Sequence, residues 1–297
     1  PAINLCDLID QFSCEDSCRE YLEELRWPEG VGCPKCGSKS ISRISTRNQY
    51  DCNGCRNRFS VKSGTMLHDS HLPLLKWFLA VYMICESKKG VSANQIKRSL
   101  GVAYKTAWYL CHRIREAMGK VNDQKEKLDG VIEADETFVG GKDRGKGHGY
   151  TLNKKAVAVA VERNGDARLK VIPDRTRATL HKFLDQHVAN DADAIYTDEW
   201  KAYEGIEEKK GVKHETVNHA ADEWVLDGIV HSNTAESVWS LLKRSIIGAY
   251  HHISHKHLDA YLDELEWRFG NRHNPYLFRD TLLCLLESGN MEYKELT

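Results

Sequence analysis

Segments with helical periodicity occupy the stretch between residues 67 and 128. From residue 72 to residue 89, apolar side chains recur every three or four positions, which predicts an amphipathic helix. Ser92 and Gln95 have the spacing of a capping box and predict the start of a second helix. Gly101 then predicts a tight turn before a third helix with one apolar face. Helix, glycine turn and helix form the pattern of a helix-turn-helix module.

The pattern changes to a strand period after residue 129. Four segments alternate between apolar and polar residues or form short apolar runs, and a helical segment separates the last two. The predicted strands are 130–139, 155–161, 167–172 and 194–198, and the predicted helix is 179–188. Three strands, a helix and a further strand are the element order of a ribonuclease-H-like α/β domain with a mixed sheet. We predict such a domain, with C-terminal helices, over residues 129–297.

Composition restricts the class of protein. With 41% apolar residues, the chain can build a sizeable hydrophobic core. No stretch approaches the roughly 20 apolar residues of a transmembrane helix, and the first residues lack the basic start and apolar run of a signal peptide. We expect a soluble, cytoplasmic protein without a membrane partner.

The net charge of −1 conceals an uneven distribution of charge along the chain. Residues 1–25 have a net charge of −6 and apolar residues at helical spacing, and predict an acidic N-terminal helix. Residues 26–128 have a net charge of +12, whereas residues 129–240 have −6. A basic segment before an acidic one indicates a polyanion-binding part joined to a part that gathers carboxylates. A basic segment that is only a solvated surface is the alternative.

Four of the ten cysteines form two close pairs, each with the spacing Cys-x-x-Cys. Fifteen residues separate the pair Cys33 and Cys36 from the pair Cys52 and Cys55. Two such pairs can hold one structural Zn²⁺ in a tetrahedron of thiolates. We predict a zinc ribbon over residues 26–66, with two redox-active dithiols as the alternative.

Basic and aromatic residues after the ribbon are the candidates for contact with DNA. The third predicted helix would be the recognition helix, and its N-terminal half offers Tyr104, Lys105 and Thr106, with Arg113 further along. The basic residues of the ribbon favour contact with DNA as well, although structural ribbons also bind proteins.

Three carboxylates occupy positions suited to metal-dependent chemistry. Asp135 lies in the first strand of the predicted domain and Asp198 ends the fourth, and the ribonuclease-H-like order puts these strands side by side. Glu236 lies in a later helical segment, three residues after Asn233. The alternative to a metal ligand is that Glu236 is the glutamate of a capping box at the start of this helix. Alternation puts Glu133 on the same face as Asp135, where it is a candidate supporting acid.

The residues around these acids resemble a known family. The stretches Asp135-Glu-Thr-Phe-Val-Gly-Gly-Lys142, Tyr196-Thr-Asp198-Glu-Trp-Lys-Ala-Tyr203 and His231-Ser-Asn-Thr-Ala-Glu236 are similar to the three acid motifs of one group of DDE transposases. That group comes from bacterial insertion sequences, has an N-terminal zinc ribbon and is related to eukaryotic Merlin elements. The similarity extends from the ribbon to about residue 285.

The resemblance implies a DNA transposase that binds the terminal inverted repeats of its element and catalyses strand cleavage and strand transfer. Asp135, Asp198 and Glu236 would hold two Mg²⁺ ions about 3.5–4 Å apart, for which Mn²⁺ substitutes. The partners would be double-stranded DNA, at the element ends and at the target in the nucleoid, and a second copy of the chain. Three further basic residues are candidates for contact with DNA: Lys142, Lys243 and Arg244. The alternatives are another ribonuclease-H-like nuclease or resolvase, and a DNA-binding regulator derived from a transposase.

Overall fold

The computed structural model describes residues 3–141, 154–217 and 233–296, and the chain forms two compact units. The first unit combines residues 1–123 with residues 273–297, and the second consists of residues 124–272. In the described ranges, no helix is both long and apolar enough to cross a lipid bilayer.

Helices dominate the first unit, and the longer strands belong to the second. The helices are α1 (Leu5–Gln11), α2 (Glu15–Arg26), α3 (Leu74–Glu86), α4 (Ala93–Leu100), α5 (Tyr104–Asn122), α6 (Arg177–His187), α7 (Ile206–Lys210), α8 (Asn233–Ser245), α9 (Leu258–Gly270), α10 (Leu277–Glu287) and α11 (Tyr293–Leu296). The strands are β1 (Ile41–Ile44), β2 (Gln49–Cys52), β3 (Arg58–Phe59), β4 (Val131–Gly140), β5 (Lys154–Glu162), β6 (Ala167–Ile172), β7 (Ala194–Asp198) and β8 (His214–Val217).

A small antiparallel sheet in the order β1-β2-β3 forms the predicted ribbon. Its core is aromatic: the rings of Tyr50 and Phe59 stack with centroids 5.7 Å apart, and Trp27 meets both rings edge-on. A sheet of this size buries little apolar surface, so we expect a bound metal to contribute to its stability.

The helices α3, α4 and α5 lie where the periodicity predicts helices. The Ser92 hydroxyl accepts a hydrogen bond from the backbone N–H of Gln95 at 3.2 Å and so caps α4. Gly101 ends α4 in the left-handed conformation, with φ of 60°, which suits glycine because it lacks a Cβ. The following helix, α5, packs against α4 and α10.

Both ends of the chain differ from the predicted domains. The acidic segment 1–25 contains two helices, because Asn4 caps α1 and Cys14 caps α2. Residues 273–297 belong to the first unit rather than to the domain predicted for 129–297. The reason is the apolar face of α10, whose Phe278 ring lies 6.3 Å from that of Phe12 and 5.8 Å from that of Phe78.

The second unit contains a mixed five-stranded sheet in the order β6-β5-β4-β7-β8. The first three strands in this order pair antiparallel, whereas β7 runs parallel to β4 and β8 runs parallel to β7. Leu180 of α6 is buried beside Ile132 in the core on one face, and Trp239 of α8 and Leu262 of α9 are buried beside Val159 on the other. The predicted ribonuclease-H-like α/β fold is confirmed, and the strand that carries Asp135 neighbours the strand that carries Asp198.

Candidate active site and metal centres

The four cysteines of the ribbon converge on one point. Their sulfur atoms all lie within 4.8 Å of one another. The Sγ–Sγ distance is 3.6 Å between Cys33 and Cys55 and 3.5 Å between Cys36 and Cys52. Four thiolates about 2.3 Å from a common Zn²⁺ have Sγ–Sγ distances of about 3.8 Å, so the observed spacing fits one tetrahedral zinc site.

The local backbone favours the thiolate form that binds zinc. The backbone N–H of Cys55 lies 3.5 Å from Cys52 Sγ, and this hydrogen bond lowers the pKa of the Cys52 thiol against the opposing effect of burial. These two sulfur contacts also join cysteines from different Cys-x-x-Cys pairs. That arrangement favours one four-ligand site over two separate redox dithiols.

Asp135 and Asp198 occupy equivalent positions on neighbouring parallel strands. The ladder between β4 and β7 pairs Glu133 with Tyr196, and each aspartate lies two residues further along its strand. Residues two apart on a strand share a face of the sheet. The two carboxylates therefore lie close together beyond the last paired residues of the ladder.

Two N–H donors orient the Asp135 carboxylate. Trp239 Nε1 donates to Oδ2 at 2.8 Å, and the backbone N–H of Glu136 donates to Oδ1 at 2.8 Å. Burial raises the pKa of Asp135 to about 6; the two hydrogen bonds oppose this shift, and the charges of Glu136 and Asp198 add to it. A bound cation would stabilise the ionised form of such a carboxylate, and an all-oxygen donor set is the kind that Mg²⁺ prefers.

Glu236 lies in the first turn of α8, three residues before Trp239, and its side chain is exposed. The backbone N–H groups of Thr234 and Ala235 donate to Glu133, which therefore caps this helix. Within the described ranges, the ribbon cysteines form the one group of three or more potential ligands at metal-binding distances. Glu236 therefore does not complete a closed ligand set with the two aspartates.

Residues around Asp198 that the sequence analysis did not select form a second polar group. The backbone N–H of Trp200 donates to Asp198 Oδ1 at 3.0 Å, and Tyr203 donates its hydroxyl hydrogen to Glu136 Oε2 at 2.7 Å. Arg175 pairs with Glu136 Oε1 at 3.1 Å, and its guanidinium lies 4.8 Å from the centroid of the Trp200 ring. Burial and the nearby charge of Asp198 raise the pKa of Glu136. Trp200 and Tyr203 belong to the second acid motif, whereas Arg175 lies in no motif and has no sequence signal.

Two of the three basic candidates in the second unit have described positions. Lys243 and Arg244 are exposed in the last turn of α8. Lys243 lines a cavity of about 270 Å³, together with residues at the end of β4 and in the segment after α8. Lys142 lies outside the described residues.

Three of the four candidates on α5, the predicted recognition helix, are exposed. Tyr104, Lys105 and Thr106 form the first turn of α5. Arg113 is only 5% exposed, and its guanidinium donates to the carbonyl oxygens of His68 at 3.0 Å and Met291 at 2.9 Å. The prediction for Arg113 is therefore corrected: this cation links α5 to residues of its own unit and is not available to DNA.

Two family models match the chain. Residues 127–270 match the ISXO2-like transposase domain, and residues 13–58 match the transposase zinc-ribbon domain. The first match contains Asp135, Asp198 and Glu236, and the second contains the four ribbon cysteines.

The chain is also similar to individual proteins. It is 29% identical over 281 residues to the "Uncharacterized protein in transposable element ISH50" of Halobacterium salinarum. The aligned residues cover 88% of this chain and 92% of the relative. It is 12% identical to the Mos1 transposase catalytic domain solved with raltegravir and Mn, with a TM-score of 0.29 over 61% of this chain and 94% of that chain. It is 11% identical to the Mos1 strand transfer complex, with a TM-score of 0.30 over 71% of this chain and 75% of that chain. The two family matches show that the chain contains a transposase zinc ribbon and an ISXO2-like transposase domain, and together with the relative from a transposable element they fit a zinc-ribbon DDE transposase of an insertion sequence.

Proposed function

We propose that this transposase binds the terminal inverted repeats of its insertion sequence and catalyses Mg²⁺-dependent cleavage and transfer of DNA strands, with Asp135, Asp198 and Glu236 as the catalytic residues. The observation that supports the proposal most directly is the pair of aspartates on adjacent parallel strands. The helix of Glu236 is joined to this pair, because Trp239 of that helix donates a hydrogen bond to Asp135.

The residues of the chain have distinct parts in this proposal. Asp135, Asp198 and Glu236 would together hold the divalent cations, with carboxylate oxygens as the ligands. Two Mg²⁺ ions held in this way would activate the attacking oxygen and stabilise the leaving oxygen of an in-line displacement. Trp239 and Trp200 orient the two aspartates, since each donates an N–H to one carboxylate oxygen.

The first unit supplies DNA binding in the proposal. One structural Zn²⁺ holds the ribbon, and the exposed first turn of α5 meets DNA. Basic side chains of the second unit contact the DNA backbone near the acids. The proposed DNA-contacting residues are Tyr104, Lys105, Thr106, Lys142, Lys243 and Arg244. At least two copies of the chain act together, because two element ends must be joined to one target.

Specific features favour this function over its alternatives. A nuclease or resolvase with the same acids has no need of a zinc ribbon and a helix-turn-helix module. A regulator derived from a transposase has no need of all three acids, and this chain has Asp135, Asp198 and Glu236.

The test is cleavage of duplexes that carry the ends of the encoding insertion sequence, with Mg²⁺ or Mn²⁺. Asp135→Asn, Asp198→Asn and Glu236→Gln should each lower the cleavage rate by about 1,000-fold or more, since metal catalysis supplies several kcal/mol. Binding of the same duplexes in gel-shift assays should persist. Asp191→Asn is the matched control, because Asp191 is an exposed aspartate in the loop before β7. Cleavage at a near wild-type rate by any of the three variants contradicts the assignment.

A further inference from the structure

Glu133 is a fully buried carboxylate, and its hydrogen bonds include four from Arg163, Thr234 and Ala235. Its Oε2 accepts from the backbone N–H of Thr234 at 2.7 Å and from that of Ala235 at 3.1 Å. Its Oε1 accepts from the Thr234 hydroxyl at 2.9 Å and from Arg163 Nε at 2.7 Å. A buried charge persists only when its polar atoms are paired, and these donors meet that requirement.

The two backbone donors are N–H groups that a helix leaves unpaired at its start. A side chain just before the helix normally accepts such hydrogen bonds. For α8 the acceptor comes from β4 instead, and its negative charge also interacts favourably with the positive end of the helix dipole. The start of α8 is thereby attached to the sheet at a defined depth and rotation.

Arg163 extends this attachment to β7. Its guanidinium carbon lies 4.8 Å from the centroid of the Tyr196 ring, and Tyr196 is the residue of β7 that pairs with Glu133. The backbone N–H of Arg163 donates to the carbonyl of Val131 at 2.9 Å, which fixes the turn after β5. We call Glu133, Arg163 and Tyr196 the support cluster. Glu133 lies two residues before Asp135 on β4, and Tyr196 lies two residues before Asp198 on β7.

A second attachment of α8 lies one turn further along, where Trp239 donates to Asp135 at 2.8 Å. Glu236 lies between the two attachments, one residue after Ala235 and three before Trp239. A rotation of α8 that moves Glu236 relative to the aspartates must therefore break hydrogen bonds to Glu133, to Asp135 or to both.

We propose that Glu133 is a positioning residue that sets where Glu236 stands relative to Asp135 and Asp198, and thereby sets the affinity of the three carboxylates for divalent cations. The inference rests on the proposed function, since it takes Glu236 as a metal ligand. Mg²⁺ accepts only a near-ideal octahedron of oxygens, so a small shift of the helix weakens binding. Loss of residues that orient ligands lowers metal affinity by about 10- to 100-fold in other sites.

The test measures metal binding and local structure as well as activity. In Glu133→Gln the side-chain amide keeps one acceptor oxygen and presents N–H groups to the remaining donors. Titration of the full-length variant with Mn²⁺, followed by electron paramagnetic resonance, should show binding about tenfold or more weaker than in the wild type. Without metal, hydrogen exchange in the first turn of α8 should accelerate, while exchange in the first unit stays as in the wild type. The Mn²⁺ midpoint for cleavage should rise, and saturating Mn²⁺ should restore part of the rate.

Glu162→Gln is the matched control. Glu162 is also a carboxylate of this sheet that accepts a backbone N–H, from Gly130 at 3.2 Å, and the contacts described for it do not include α8. The Mn²⁺ affinity of this variant should equal that of the wild type.

Wild-type Mn²⁺ affinity in folded Glu133→Gln overturns the inference. If Glu133→Gln does not fold, Thr234→Val is tested in its place, because it removes only the hydroxyl donor to Glu133. An unchanged Mn²⁺ midpoint in Thr234→Val overturns the inference. Asp135→Asn distinguishes failure of the positioning role of Glu133 from failure of the proposed function. If Asp135→Asn loses the Mn²⁺ site and Glu133→Gln keeps it, only the positioning role fails, whereas wild-type Mn²⁺ binding by Asp135→Asn overturns the proposed function itself.

Discussion

Asp135 makes the stability of the second unit depend on pH when Mg²⁺ is absent. The pKa of Asp135 is raised from 3.8 to about 6, chiefly because the carboxylate is buried. The folded unit therefore binds this proton more tightly than the unfolded chain does. The resulting stabilisation is fully present below pH 3.8 and is lost as the pH rises to about 6. The difference between the two pKa values corresponds to about 3 kcal/mol of unfolding free energy.

Asp135→Asn removes this titration. Between pH 4 and pH 7, the unfolding free energy should therefore fall by about 2.4 kcal/mol more in the wild type than in the variant. Both oxygens of Asp135 can accept a hydrogen bond in either protonation state, whereas the amide turns an NH2 group toward one of the two donors, Trp239 or Glu136, which costs the variant about 1 kcal/mol at every pH. The variant should thus be the less stable protein at pH 4 and the more stable one at pH 7.

The assay is urea-induced unfolding of the metal-free second unit, read from hydrogen exchange of β5 peptides, which report on this unit alone. Addition of Mg²⁺ at pH 7 should raise the urea midpoint of the wild type and leave that of Asp135→Asn unchanged. A stability difference between the two proteins that stays constant from pH 4 to pH 7 would contradict the raised pKa of Asp135. An equal effect of Mg²⁺ on both proteins would contradict Asp135 as a metal ligand.

The remaining predictions concern the ribbon, α5 and Glu236. Cys33→Ser should release zinc and weaken binding to element ends without changing the melting of the second unit, and a wild-type protein that contains no zinc contradicts this. Lys105→Ala should weaken binding uniformly across sequences and flatten the plot of log affinity against log salt by about one unit; unchanged binding would move recognition elsewhere. Arg113→Ala should instead lower the unfolding free energy of the first unit by about 3 kcal/mol, because it removes a buried charged donor, and a calorimetric scan that shows no loss counts against this. Glu236→Gln should abolish cleavage and change the unfolding free energy by no more than about 0.5 kcal/mol, because its side chain is exposed; a large loss of stability would restore a capping role.

The ribbon was predictable because the residues that define each half of its metal site are close together in the sequence. The ligands of each Cys-x-x-Cys pair are three residues apart, so the spacing itself describes the geometry of the site. The neighbouring aspartates followed from element order, since the first and fourth strands of a ribonuclease-H-like sheet are adjacent. Asp135 and Asp198 could therefore be paired without knowledge of any other contact.

Features that depend on remote partners were not predictable in the same way. The apolar face of α10 indicates burial but does not specify a partner. For that reason residues 273–297 were wrongly included in the domain predicted for 129–297. Arg113 has the sequence environment of a DNA-contacting cation, yet carbonyl groups of His68 and Met291 accept its hydrogen bonds. Glu133 was recognised as sharing a face with Asp135, but the donors from Thr234 and Ala235 are about a hundred residues away in the chain.

The first unit is assembled from both ends of the chain, and this affects its synthesis. A ribosome must translate the whole second unit, residues 124–272, before it produces α10. At about 5–20 residues per second this delay is on the order of ten seconds, during which the nascent chain lacks the helix that covers α3 and α5. A polypeptide released prematurely thus has an unfinished first unit. If the first unit binds DNA as proposed, truncated products should compete poorly for element ends, because only molecules that also contain the complete second unit would engage DNA.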